Sequence, residues 1–106
     1  MKPLILLTLI IIVPVAFAEL PVYELNINDH LFSPAQIEIP SGTKVKLLVK
    51  NLDASPEEFE SYELNREKVV PGKSEIIIYI GPLDPGTYGF FGDFHQDTAQ
   101  GKLIAK

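Results

Sequence analysis

The sequence predicts an all-β protein, a Greek-key β-sandwich of about seven strands. Three observations support this fold class: short runs that alternate apolar and polar residues, frequent turn signals, and no clear long helix. The chain has 106 residues, and neither an internal repeat nor a low-complexity segment divides it. We therefore expect one small domain behind an N-terminal leader.

The leader has the pattern of a secretory signal peptide. Lys2 supplies a positive start, the apolar run Leu4–Val13 is too short to span a bilayer, and Ala16-Phe17-Ala18 is an Ala-x-Ala cleavage site. We expect residues 1–18 to be removed, so that residues 19–106 form a soluble periplasmic domain without a membrane anchor. A retained N-terminal helix is the alternative interpretation.

The composition narrows the class of partner. Without the leader, the domain keeps eight basic and fourteen acidic residues, a net charge of about −6. This charge disfavours nucleic acid and suits cations or a basic protein surface. The chain has no cysteine, so no disulfide stabilises the exported domain. Stability then has to come from the core and from any bound ion.

Three alternating segments predict the first strands. Residues 22–27, 35–39 and 43–50 each alternate apolar with polar side chains, as half-buried strands do. Turn signals separate the segments, with Asn28-Asp29 after the first and Pro40-Ser41-Gly42 after the second. The pattern therefore indicates three consecutive strands joined by short connections.

The middle of the chain fits two structures. Ser55-Pro56-Glu57-Glu58 matches a capping box with proline at the first helical position, which would open a helix over 56–68. The same residues also alternate, with Glu57, Phe59 and Ser61 on one side of a strand. Both interpretations stay open on the local pattern alone.

The last third is more regular. Ser74–Ile80 carries β-branched residues at nearly every position, which predicts a strand buried on both faces. Residues 81–86 then form a loop rich in proline and glycine.

A final hairpin closes the predicted domain. Tyr88 and Phe90 indicate one strand, and Leu103-Ile104 the last one. The connection between them contains Asp93 and His95, a carboxylate and an imidazole that can both bind a metal ion.

This hairpin resembles that of the cupredoxins, the blue-copper proteins. In that family Pro-Gly-x-Tyr-x-Phe precedes a Cys, a His, an axial Met and a Gly before the last strand. Pro85–Phe90 matches the first motif, and His95 and Gly101 match the His and the Gly. The resemblance covers residues 22–104 and implies a cupredoxin-like sandwich.

The resemblance also bears on the middle of the chain. Cupredoxins carry Pro-His-Asn-Phe or a similar motif after a strand that ends in Asn and a short loop. Pro56-Glu57-Glu58-Phe59 stands at that place, after Asn51. The resemblance therefore favours a strand over Glu58–Ser61, with a turn or loop over Asn65–Lys68.

Carried over to this chain, the family ligands fall on few residues of the same kind. The two imidazoles would correspond to Glu57 and His95, the thiolate to a place near Gly92, and the axial Met to Ala99 or Gln100. Only His95 retains its chemistry. The resemblance thus implies a site in which carboxylates replace the sulfur ligands and one imidazole.

Other residues can assist these two. Asp93 lies beside the vacant thiolate position, His30 lies in a loop expected at the same end, and Glu58 and Glu60 could hold a second cation. The predicted metal ligands are therefore His95, Glu57, Asp93, Glu58, His30 and Glu60. The alternative for each is structural: a loop histidine with its own hydrogen bonds, a loop-capping carboxylate or a solvated acidic face.

Carboxylate and imidazole donors suit Fe(II), Fe(III), Mn, Zn or Cu(II) better than Cu(I). The carboxylate-rich, Cys-less sequence is similar to the group associated with bacterial iron permeases, including the cupredoxin domain of EfeO-type iron-uptake proteins. The resemblance implies a periplasmic protein that binds a transition metal ion, Cu or Fe. It would serve iron or copper acquisition or transfer, with a membrane iron permease or another periplasmic uptake component as partner.

Two other functions stay open. One is a ferroxidase or an electron-transfer partner of an iron permease, and the other is a metal-free sandwich that acts as an interaction module. We predict no catalytic residue and no organic cofactor. No nucleophile–base pair, phosphate-binding loop or basic patch indicates a hydrolase, a nucleotide-binding protein or a nucleic-acid-binding protein.

Overall fold

The computed structural model of the chain describes residues 1–13 and 19–106. Residues 1–13 have no regular secondary structure and are exposed. The predicted cleavage motif Ala16-Phe17-Ala18 lies outside the described residues, so removal of the leader stays a prediction. Within the two described ranges, no helix has the length and apolar character needed to cross a membrane.

Over the described residues, nine strands form two packed sheets, which confirms the predicted all-β sandwich. The strands are β1 Val22–Asn28, β2 Leu31–Ser33, β3 Gln36–Ile39, β4 Val45–Asn51, β5 Glu57–Ser61, β6 Arg66–Val70, β7 Ser74–Ile80, β8 Gly86–Gly92 and β9 Gln100–Ala105. The four-stranded sheet has the order β2-β1-β4-β7, and the five-stranded sheet has the order β3-β9-β8-β5-β6. A 3₁₀ helix, Asp93–His95, follows β8.

The alternation predicted for the early strands is present. Leu25 and Ile27 of β1 and Val45, Leu47 and Val49 of β4 are buried, and the residues between them lie on the outer face or near its edge. β1 runs parallel to β4, and β4 runs antiparallel to β7. A period of two along each strand thus supplies one apolar face per sheet.

The middle of the chain is a hairpin and not a helix. β5 and β6 pair antiparallel, with Glu57 opposite Val70. The predicted strand over Glu58–Ser61 is confirmed, but the predicted turn or loop over Asn65–Lys68 is wrong from Arg66 onward. Four of the five β6 residues are exposed, so the segment shows no alternation and becomes a strand because β5 pairs with it. β6 and the three-residue β2 raise the number of strands above the predicted seven.

Strand β7 has one exposed face, so the prediction of burial on both sides is wrong. It forms an edge of the four-stranded sheet, where Ile77 and Tyr79 are exposed. Two side chains of β6 cover this edge: Arg66 Nε donates to the Tyr79 carbonyl at 3.1 Å, and Lys68 Nζ donates to the Ile77 carbonyl at 3.4 Å. β-branched composition favours a strand wherever it lies in a sheet, so it does not reveal an edge position.

An aromatic cluster joins the two sheets. Phe32 on β2 and Phe90 on β8 meet edge-on with ring centroids 5.1 Å apart, and Phe59 on β5 stacks on Phe90 at 5.1 Å. All three rings are buried. Because the rings come from both sheets, they fix the sheets against each other.

Three connections lie side by side at one end of the sandwich. They are the β1–β2 turn, the β4–β5 loop and the β8–β9 connection. The carboxylate of Asp53 in the second connection accepts the amides of Asp29 and His30 in the first, at 2.8 and 3.0 Å. Thr98 Oγ1 in the third donates to the His30 carbonyl at 2.7 Å. These bonds bring the predicted ligands to one end.

We expect Phe59→Ala to lower the free energy of unfolding by about 3–5 kcal/mol, because it leaves a cavity between the sheets. Tyr62→Ala is the matched control: Tyr62 is 78% exposed, so its loss should change stability by no more than about 0.5 kcal/mol. Urea unfolding followed by far-UV circular dichroism measures both. Equal losses for the two variants would contradict this description of the core.

Candidate metal site

Three of the predicted ligands meet at this end of the sandwich. His30, Glu57 and His95 each offer one ligand atom, and these atoms lie within 4.8 Å of one another. His30 lies in the β1–β2 turn, Glu57 begins β5, and His95 ends the 3₁₀ helix. Residues distant in sequence converge because their three connections are neighbours.

Glu57 is the buried centre of this group. Its Oε1 accepts the amide of Glu58 at 3.0 Å and the amide of Phe94 at 2.9 Å, and its Oε2 lies 2.5 Å from Nδ1 of His95. Two donors on one oxygen suit an ionised carboxylate, so Nδ1 of His95 is assigned as the donor to the other oxygen. These partners offset the cost of burying the charge.

The two imidazoles are stacked. The ring centroids of His30 and His95 are 3.5 Å apart, and the ring planes differ by 13°. The in-plane nitrogen lone pairs of parallel rings at this separation do not converge on one point. One ring must therefore turn if both are to bind a single ion. The rings border a surface cleft of about 470 Å³, which leaves space for that rotation.

The remaining three candidates form a separate group. Glu58, Glu60 and Asp93 also bring ligand atoms within 4.8 Å of one another. Because side chains alternate along β5, Glu58 and Glu60 project from the face opposite Glu57. The six predicted ligands thus divide into one mixed group and one all-carboxylate group, and metal binding by either stays a prediction.

The all-carboxylate group favours a proton on Glu58. Partial burial, together with the hydrogen bond and charge of Glu67, raises the pKa of Glu58 to about 7. The neighbouring carboxylates of Glu60 and Asp93 act in the same direction. Like charges at this spacing disfavour full ionisation of the group.

Sequence reasoning missed the residues that hold His30. The carboxylate of Asp53 binds the amides of the β1–β2 turn. The backbone amide of Asp53 in turn donates to Oδ1 of the buried Asn51 at 3.0 Å. Burial acts to raise the pKa of Asp53, but the amides of His30 and Asp29 and the nearby charges of His30 and Lys73 lower it overall. Asn-x-Asp directly after a strand is an Asx-turn pattern, and it was the available signal.

Two small residues lie where the resemblance places sulfur ligands: Gly92 at the place of the thiolate, and Ala99 at or next to the place of the axial Met. A Cβ at Gly92 would lie 2.6 Å from Cδ of Glu57 and 2.6 Å from Cβ of Ala99. The amide of Gly92 donates to the Ala99 carbonyl at 2.9 Å. The carboxylate of Glu57 therefore occupies the space into which a side chain at position 92 would project.

The donor set fits a metal ion of intermediate hardness. Two imidazoles and one carboxylate within 4.8 Å suit Cu(II), Zn or Fe(II), whereas a Cu(I) site prefers sulfur donors, and residues 19–106 contain neither Cys nor Met. The one nitrogen of each imidazole that binds the ion has to be free of its proton, and in His95 that nitrogen is Nε2, because Nδ1 donates to Glu57. His30, Glu57 and His95 are thus the residues that would hold it.

We expect Gly92→Ala to lower the free energy of unfolding by about 1–3 kcal/mol, because the added methyl overlaps Glu57 and Ala99. Gly89→Ala on the same strand is the matched control. A Cβ there meets only Oε2 of Glu63, at 4.0 Å. Urea titration of both variants tests the expectation, and equal stability of Gly92→Ala and the parent would show that the two residues leave room at position 92.

Glu58 should make stability depend on pH. Since its folded-state pKa is about 7 and its ordinary value is 4.5, the folded protein binds this proton more tightly than the unfolded chain. The free energy of unfolding should therefore fall as pH rises from about 4.5 to about 7, and then level off. Glu58→Gln should remove this component. Thermal unfolding of both proteins across that pH range measures this component. Added salt should reduce the part of it that comes from repulsion between Glu58 and the neighbouring carboxylates.

The comparisons with known proteins agree with the two-sheet fold. A family model described as "Cupredoxin-like domain" matches residues 3–105. Uncharacterized protein RP394 of Rickettsia prowazekii (strain Madrid E) is 51% identical over 81 residues, 76% of this chain. The matched part spans 65% of that relative's length.

Solved structures share the fold at low sequence identity. Auracyanin A, a "blue" copper protein from Chloroflexus aurantiacus, has a TM-score of 0.71 at 13% identity, over 83% of this chain and 100% of that one. The metal binding domain of the Streptococcus pneumoniae D39 Cu(I) exporting P-type ATPase CopA has a TM-score of 0.68 at 14% identity, over 80% and 84%. Amicyanin from Paracoccus versutus has a TM-score of 0.63 at 16% identity, over 86% and 85%. Together with the family model, the two-sheet fold shows that this chain belongs to the cupredoxin-like domain family.

Proposed function

We propose that this protein binds a transition metal ion through His30, Glu57 and His95. One observation carries the proposal: two imidazoles and one buried carboxylate, from three separate connections, bring ligand atoms within 4.8 Å at one end of a cupredoxin-like sandwich. The cupredoxin-like relatives of known structure include copper proteins, which supports a metal-associated role.

The donors favour a harder ion than the Cu(I) of a sulfur site. Glu57 supplies a carboxylate where the resemblance places an imidazole, and Gly92 leaves no thiolate. Oxygen and imidazole donors favour Cu(II), Zn and the iron ions, and carboxylates stabilise the higher oxidation state of iron. When bound, the ion would supply Lewis acidity or one-electron redox chemistry. Glu57 and His95 would hold it, together with His30 from the neighbouring β1–β2 turn.

Acquisition or transfer of iron or copper in the periplasm is the role that we infer for this site. The signal-peptide pattern in residues 1–18 supports export, and the carboxylate-rich sequence supports a place in the EfeO-type, iron-permease-associated group. A membrane iron permease or another periplasmic uptake component is then the expected partner. The net negative charge favours cation capture.

A metal-free interaction module is the second candidate, and one observation favours it. Each oxygen of Glu57 already has a protein partner, since Oε1 accepts two amides and Oε2 contacts His95. The buried carboxylate is therefore stable without an ion. In this alternative the Glu57–His95 pair replaces the metal as the link between β5 and the 3₁₀ helix.

Titration with Cu(II), followed by calorimetry and paramagnetic resonance, tests the proposal. We expect one bound ion with nitrogen hyperfine structure and no intense thiolate band, because the chain has no cysteine. His95→Ala and Glu57→Gln should each weaken binding at least about tenfold, since the first removes an imidazole donor and the second replaces an anionic carboxylate by a neutral amide. Anaerobic Fe(II) titration of the same variants compares the two metals.

Asp93→Asn is the control for this experiment, because Asp93 belongs to the all-carboxylate group. It should change Cu(II) affinity by much less than His95→Ala. Loss of binding in Asp93→Asn with unchanged binding in His95→Ala would show that the ion binds to the all-carboxylate group instead. Absence of any thermal shift with Cu(II), Fe(II) or Zn would favour the metal-free module.

A further inference from the structure

We propose that Asp53 is a positioning residue that holds His30 for metal binding, an inference that rests on the proposed function. Asp53 lies in the β4–β5 loop, 23 residues from His30, and it offers no ligand atom to the mixed group. Its carboxylate contacts both the backbone of the β1–β2 turn and the imidazole ring of His30. Asp53 would therefore act on the ion through His30.

The backbone contact fixes an uncommon conformation. Asp29 and His30 both have positive φ, 52° and 58°, in the left-handed region that residues other than glycine seldom adopt. Their successive amides donate to the two oxygens of Asp53, at 2.8 and 3.0 Å. Consecutive amides that converge in this way form an anion-binding nest. An ionised side chain at position 53 thus holds the turn in the shape that directs His30 toward His95.

The ring contact orients the imidazole. Nδ1 of His30 lies 3.5 Å from Oδ2 of Asp53, an electrostatic contact longer than a hydrogen bond. Nε2, on the other side of the ring, is the nitrogen that this contact leaves for an ion. Because the two imidazoles are stacked, it reaches an ion shared with His95 only after one ring turns, and the backbone contact keeps His30 beside His95 during that rotation. Histidines that bind metals commonly have a carboxylate at the other ring nitrogen. Nδ1 of His95 also contacts a carboxylate, that of Glu57, but at 2.5 Å and from a residue that is itself a proposed ligand.

Asp53 is itself held rigidly. Its amide donates to Asn51 Oδ1 at 3.0 Å, and the Asn51 side chain donates to the carbonyls of Ser55 at 2.8 Å and Val70 at 3.1 Å. The Asp53 carbonyl accepts the Lys73 amide at 2.8 Å. The loop thus connects β4, β6 and the start of β7, so the position of Asp53 is set by the sandwich.

Cu(II) titration of the full chain and its variants tests the inference through a double-mutant cycle. Asp53→Asn should weaken Cu(II) binding about tenfold when His30 is present. In a His30→Ala background the same change should have no further effect, because the residue through which Asp53 acts is gone. An equal loss in both backgrounds, or no loss in either, overturns the inference.

Asp29→Asn is the matched control: it removes a carboxylate from the same turn, and asparagine tolerates positive φ. It should leave Cu(II) affinity unchanged. Imidazole ¹⁵N resonances of the metal-free protein give a readout that does not require the ion. Asp53→Asn should shift the ring nitrogens of His30, and unchanged signals overturn the inference. If the parent chain binds no Cu(II), the proposed function fails while these signals still decide whether Asp53 orients His30.

Discussion

The buried carboxylate of Glu57 is the constraint on which the candidate site depends. An isolated charge in a protein interior would cost several kcal/mol, so its surroundings have to supply donors. Two of these donors, the amide of Phe94 and Nδ1 of His95, belong to the β8–β9 connection. The same contacts determine where the imidazole lies. The absence of a side chain at Gly92 gives the carboxylate its space, so one buried acid organises both the packing and the chemistry of this end.

The rest of the sandwich supplies the rigidity that this arrangement needs. With no cysteine in the chain, stability comes from apolar side chains of the two sheets and from the phenylalanine cluster between them. The edge of β7 is covered by Arg66 and Lys68, which removes exposed carbonyls that could pair with another chain. Loops carried on such a scaffold can present ligands at fixed positions.

The side chains at the candidate site differ in a consistent way from the ligands that the resemblance to blue-copper proteins implies. Where the resemblance places sulfur there is glycine or alanine, and where it places one imidazole there is a carboxylate. His30 adds an imidazole from a turn outside the family motif, and it stacks on His95. The candidate site thus contains two carboxylate–imidazole contacts, Glu57 with His95 at 2.5 Å and Asp53 with His30 at 3.5 Å.

The sequence by itself determined the fold class and the core faces of the early strands, and it named His30, Glu57 and His95 among its six candidate ligands. Alternation in β1 and β4 identified buried residues because a strand has a period of two, and the resemblance to the cupredoxins located His95 through the hairpin motif and Glu57 through the motif after Asn51. The pattern predicted a turn or loop over Arg66–Lys68, the exposed part of β6 that carries no alternation, and it did not identify the edge position of β7. Both depend on which strand pairs with which.

Tertiary structure alone decided how the six candidate ligands divide. Alternation along a strand already places Glu57 and Glu58 on opposite sides of β5, but only the packing of the connections brings the imidazoles to the Glu57 side and Asp93 to the Glu58 side. His30 joins the site because Asp53, in a different loop, holds its turn. Local sequence records which side chains have suitable chemistry. Convergence of these side chains depends on contacts between segments that are 23 to 68 residues apart. Examples are the hydrogen bond from Thr98 to His30 and those from Asp29 and His30 to Asp53. No short-range pattern encodes such contacts.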